Sequence, residues 1–168
     1  MRGLRFTVTG VALAFCLSVV AVSQSVPPFQ FLQKPGPHAV GLKVVEQYDY
    51  SRTFRSTIDE LGKAYKGERA RPLQTLIWYP AVKSDAKPMT AKDYVELVAT
   101  ESSFGKPHMP ADWQDKEKSM TPTLANAMWA IRDAKLEAGR YPVVIYTPSF
   151  SAESWENADL CEYLASHG

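Results

Sequence analysis

Side chains able to act as nucleophiles crowd into one short stretch: Ser149, Ser151 and Ser154, then Cys161, with His167 close behind. A hydroxyl attacks an acyl carbon only when a neighbouring base takes its proton, and a thiol only when it ionises. The three serines fall in a polar loop and read as turn residues or as the N-cap of a helix starting near Trp155. Cys161 lies within Asp159-Leu-Cys-Glu-Tyr163, in mid-helix, where a free cysteine packs as a small hydrophobe. His167-Gly168 sits where that helix would end, and a left-handed C-cap accounts for it. His38 and His108 stand alone beside prolines, without a second ligand three or four residues away, so no metal site is expected. Trp78, Tyr79 and Trp129 read as packing residues. The charged run 112–118 reads as a solvated surface.

Around this stretch the expected elements follow from hydrophobic period and punctuation. In Tyr141-Pro-Val-Val-Ile-Tyr-Thr-Pro148, four β-branched or aromatic residues are fenced by Pro142 and Pro148. Prolines are tolerated at the ends of a strand but not in its middle, so 143–146 is expected to be a buried central strand. Behind it, Leu160, Cys161, Leu164 and Ala165 share one helical face. Strand, loop and helix make half of a βαβ unit.

Earlier in the chain, 40–48 and 72–80 alternate as strands that could pair antiparallel at a sheet edge. In the second, Leu73, Thr75, Ile77 and Tyr79 fall on one side, and Leu76 and Trp78 on the other. The polar stretch 51–71 is expected to connect them. Thr90 can cap a helix carrying Tyr94, Val95, Leu97 and Val98, with Asp93 in its first turn. Residues 102–120 look loop-like. Thr121-Pro122 resembles a helix start, and Leu124, Ala127, Met128, Ile131 and Ala134 then predict an apolar helical stripe ending at Gly139.

A chain of 168 residues suits one domain with a real core, and 45% hydrophobic with 22% charged residues is ordinary globular composition. The formal charge is +1, and nothing resembles a basic stripe, so nucleic acid is not an expected partner. Arg2 and Arg5 precede the uncharged apolar run 11–22, which has signal-peptide length and falls short of the about 20 residues that span a bilayer. Residues 1–23 are thus expected to be a signal peptide, cleaved after Ser23 or Ser25, with an uncleaved anchor as the alternative. The Pro-rich residues 24–35 form an extended lead-in. Export to a periplasmic or extracellular destination follows, with no stable membrane span after cleavage. Cys161 is the one thiol left beyond the leader, so no internal disulfide is expected.

Several phrases, taken in order, resemble the N-terminal portion of an α/β-hydrolase of the branch holding dienelactone hydrolases and platelet-activating-factor acetylhydrolases. They are Gly36-Pro-His-Ala-Val-Gly41, Asp49-Tyr-Ser-Arg52, Arg71-Pro-Leu-Gln-Thr-Leu-Ile-Trp-Tyr-Pro-Ala81, Tyr141-Pro-Val-Val-Ile-Tyr146 and Leu164-Ala-Ser-His-Gly168. The resemblance covers about 36–81 and 141–168 and implies an α/β fold. That fold would be an incomplete α/β-hydrolase sheet: an antiparallel edge pair, the first central strand and its helix, with a helical lid-like insertion at 82–140. Where the family carries His-Gly after the central strand, this chain has Thr147-Pro148-Ser149-Phe150. Proline has no N–H, so the implied oxyanion-hole backbone donors are Phe150 and Ser151. The family's nucleophile, in G-x-S-x-G, and its acid and histidine come later and match nothing in these 168 residues, so no catalytic side chain is expected here.

The resemblance implies an exported serine hydrolase acting on carboxylic-ester or related acyl substrates without metal or organic cofactor. As it stands, the chain is expected to be inactive and to self-associate. The alternative is a secreted, non-catalytic hydrolase relic acting as a binding or surface module.

Overall fold

The computed structural model describes Phe29 and residues 31–168. The expected signal peptide at 1–23 and much of the lead-in lie outside the described residues.

Strands β1 (Ala39–Thr53) and β2 (Ala70–Ala81) form the expected antiparallel pair, in register from Ala39 opposite Ala81 to Asp49 opposite Arg71. The alternation in β2 is legible in the structure. Leu76 and Trp78 pack towards the core, whereas Ile77 on the other side is exposed. On the Ile77 side, the Tyr79 ring lies over Gly41, so close that a Cβ there would come within 2.4 Å of it. Tyr79 donates from its hydroxyl to the Ala134 carbonyl at 2.7 Å, which fixes the ring in place.

Helix α1 (Ala91–Val95) continues into a 3-10 turn at Glu96–Ala99, and the expected cap is present. Asp93 Oδ2 accepts hydrogen bonds from the Thr90 N–H and hydroxyl, while the Asp93 N–H donates to the Thr90 carbonyl. The apolar residues of this element, Tyr94, Val95, Leu97 and Val98, are all buried.

The next helix differs from the sequence expectation. Helix α2 runs from Ala111 to Leu124, starting after Pro110 and carrying Pro122 inside its last turn. The charged run does form a solvated face, laced by Lys116–Asp112 and Lys118–Asp115 contacts, with Lys116 over the Trp113 ring. The expected helical stripe over 124–134 is not a helix. The Ala91 N–H donates to the Asn126 carbonyl, the Met128 N–H to Met89, and the Met89 N–H to Ala130. Backbone groups spoken for in this way cannot close i to i−4 bonds. Ala130–Arg132 becomes β3, parallel to β1, with Val40 opposite Ala130.

The sheet is therefore mixed and three-stranded, in the order β2-β1-β3, with helices packed against it: a mixed α/β arrangement. Residues 82–140 supply much of the core cluster, including Met89, Tyr94, Trp113, Met128 and Ala130, which join Val40 and Leu42 of β1 and Trp155. The 143–146 segment, expected as a central strand, has no strand partner among the described residues. Val143 is 88% and Ile145 86% exposed.

Helix α3 covers Ala158–His167, and Gly168 behind it has a left-handed φ of +99°. The buried face of α3 is only in part the expected one, with Ala165 buried and Cys161 half-buried. Ala158, Glu162, Ala165 and Ser166 point inward, whereas Leu160 and Leu164 are exposed. A polar residue thus takes the inner position that the apolar stripe predicted for leucine.

Candidate functional site

Three features converge at the C-terminal end of the described chain: the 141–149 segment, the loop that follows it, and α3. The loop is held by a carboxylate. Glu156 Oε2 accepts from the Ser149 N–H at 2.7 Å and from the Tyr146 hydroxyl at 2.8 Å. The Ser149 N–H first, and then the Tyr146 hydroxyl, hold the Glu156 carboxyl below its ordinary range, and the Glu156 bond raises the Tyr146 phenol. Asn157, itself left-handed at φ 56°, donates from its side-chain amide to the Tyr146 hydroxyl.

Phe150 and Ser151, the implied oxyanion donors, lie at the tip of this loop. Phe150 is fully exposed, and Ser151 adopts φ 61°, a left-handed conformation that non-glycine residues seldom take. No acceptor among the described residues engages either N–H. Both face solvent, so an oxyanion would meet water there as readily as the backbone. Stabilisation of an oxyanion depends on excluding that water.

The serines divide as turn residues do. The Ser149 hydroxyl donates to no histidine among the described residues, Ser151 shapes the tip, and the Ser154 hydroxyl donates to the Gln74 side chain on β2 at 3.2 Å. Cys161 is half-buried, and burial pushes its thiol up to about 11, with Asp159 and Glu162 adding to the rise. Such a thiol stays protonated at neutral pH and is no nucleophile. His167 Nδ1 lies 2.9 Å from the Tyr163 carbonyl within its own helix, as a cap residue does. Its neighbour Ser166 is buried, accepts the Gly36 N–H and donates to the Tyr163 carbonyl. His38 pairs with Glu137 at 2.9 Å. Among the described residues, no group of three or more His, Cys, Asp or Glu side chains is placed to hold a metal.

Between the free edge of β2 and the 141–146 segment runs a groove of about 290 Å³. Leu76, Trp78 and Pro80 form one wall, Tyr141, Val144 and Tyr146 the other, and Cys161, Leu164 and Ala165 of α3 the floor. At its end β2 is already engaged, the Pro80 carbonyl accepting the Glu137 N–H and the Val82 N–H donating to the Lys135 carbonyl, but the outer side of 72–79 and the 141–146 segment have no ladder partner among the described residues.

Sequence reasoning missed Glu162, the one carboxyl side chain among the described residues that is fully buried. The Tyr94 hydroxyl donates to its Oε1 at 2.5 Å, and the Trp129 N–H to its Oε2 at 2.6 Å. Trp78 Nε1 donates in turn to the Tyr94 oxygen at 2.9 Å. The one available signal was its position between Ala158 and Ala165 at helical spacing, on the face that small residues mark for close packing.

No family model matches the chain, and neither a curated protein nor a solved structure matches it.

Proposed function

We propose that these 168 residues form the N-terminal part of an exported serine α/β-hydrolase that acts on carboxylic-ester or related acyl substrates. The sheet edge, a helical insertion at 82–140 and the oxyanion-side loop belong to this chain. The nucleophile, acid and histidine belong to sequence outside it. The observation that carries the reading is the apolar 143–146 segment, exposed and unpaired across a groove from the outer side of β2. A run that is apolar on both faces suits a strand covered on both faces, as in parallel sheets. A strand entering the groove would pair with β2 and with 143–146 together and cover Leu164. In the hydrolase resemblance, that strand comes before the one that delivers G-x-S-x-G. Its insertion beside 143–146 would also bring the Phe150 and Ser151 N–H groups towards the reacting centre and out of water. With the serine as nucleophile, histidine would take its proton and the acid would orient the histidine.

The test is ester turnover and fluorophosphonate labelling, measured on the 168-residue chain and on a form extended by the coding sequence downstream. The short chain is expected to give neither signal and the extended form both. Serine-inhibitable turnover by the short chain would overturn the proposal. So would a downstream sequence lacking an apolar strand followed by G-x-S-x-G, an outcome that favours the non-catalytic relic.

A further inference from the structure

The buried carboxyl of Glu162 belongs to no step of the proposed hydrolysis, yet it is the point at which four parts of the fold meet. It sits on α3. The Tyr94 hydroxyl reaches it from α1, Trp78 of β2 bonds to Tyr94, and the Trp129 N–H reaches it from the segment leading into β3. The side chain is fully buried. Of the groups facing it, the titratable ones are Tyr94 from α1 and its own helix neighbours Asp159 and Cys161. Trp78 and the Trp129–Ala130 backbone contribute only neutral donors, and no cation among the described residues acts on it.

Two opposing demands meet on this group. Its hydrogen bonds suit a carboxylate, because both oxygens accept and the partners arrive as donors. Burial without a cation suits the neutral acid, because a lone charge in an apolar interior loses its hydration.

We propose that Glu162 is a proton-controlled latch that sets how tightly α3 is held against α1, β2 and the segment before β3. With the proton on, α3 carries no buried charge. With the proton off, the closed helix confines a carboxylate that an opened helix would release to water, so ionisation favours opening. The latch does not depend on the hydrolase reading. Because Cys161, Leu164 and Ala165 of α3 floor the groove beside β2, opening would also loosen that floor.

The direction follows from linkage. Burial pushes the Glu162 carboxyl up to about 7, against the pull of the Tyr94 hydroxyl and the Trp129 and Ala130 N–H groups. The folded chain therefore keeps this proton where an opened one has lost it. The closed state is favoured most at acid pH, and the advantage is lost as pH rises towards neutrality.

Hydrogen exchange of α3 amides in the full 168-residue chain, normalised to intrinsic exchange rates, reads this directly. Protection is expected to fall about tenfold per pH unit between pH 5 and 7 and to level off above, as release of a single proton requires. In Glu162→Gln the profile should be flat, because the amide copies the neutral acid. Comparison with that variant separates the Glu162 contribution from every other effect of pH on the helix. Tyr94→Phe removes a donor that favours the ionised form, so its levelling-off should move to higher pH. That arm stands even if the glutamine variant fails to fold. A flat wild-type profile, a glutamine variant with the wild-type slope, or an unmoved levelling-off in Tyr94→Phe would each overturn the latch.

Discussion

Gly41 shows how one residue type can be decided by a neighbour across the sheet. The Tyr79 ring occupies the space a side chain would need there, and its hydroxyl is anchored on Ala134. Gly41→Ala is expected to destabilise the chain by about 1–3 kcal/mol, the usual cost of forcing atoms into a filled site. Denaturant unfolding checks it, and an unchanged midpoint would mean that the ring moves aside freely. Cys161 illustrates the reverse case, a residue whose reactivity the fold suppresses. Its apolar surroundings and two nearby carboxyl groups keep the proton on sulfur.

Among the elements, α1 is short, and its stability rests on its start. Thr90 and Asp93 satisfy each other and the first turn, and the apolar residues behind them enter the core. Asp93→Ala is expected to cost about 0.5–2 kcal/mol, the range of lost N-terminal caps, measurable as a lowered unfolding midpoint. Helix α2 and its successor carry the opposite lesson. Thr121-Pro122 has the form of a helix start but stands in a last turn. The apolar spacing over 124–134 fits a helix but serves a chain that crosses from Met89 to β1. Helical spacing over so short a stretch does not exclude an extended chain that buries Met128 and Ala130.

For the whole molecule, the balance of covered and uncovered apolar surface matters most. Val143, Val144 and Ile145 are exposed together, beside an open edge of β2 and the exposed Leu164 of α3. An unpaired apolar edge of this kind recruits other chains. The isolated 168-residue chain is expected to sediment as a concentration-dependent associating species. Val144→Lys with Ile145→Lys should shift it towards monomer, because added charge on an edge opposes pairing. A sharp monomer boundary at all concentrations for the unaltered chain would show that the exposed segment covers itself in solution.

The residues themselves determined the strands at 40–48 and 72–80, their antiparallel pairing, the Thr90 cap and the left-handed Gly168. Each depends on a local rule: period two, a capping side chain, or a left-handed glycine. Tertiary structure alone decided what long-range partners decide. It diverted 126–132 into pairing with 89–91 and β1, and it turned the Glu162 face of α3 inward instead of the leucines. It also left the apolar 143–146 segment exposed, with no strand partner among the described residues. A strand's own residues set its tendency to extend, but its ladder bonds belong half to another segment, and no local pattern names that segment.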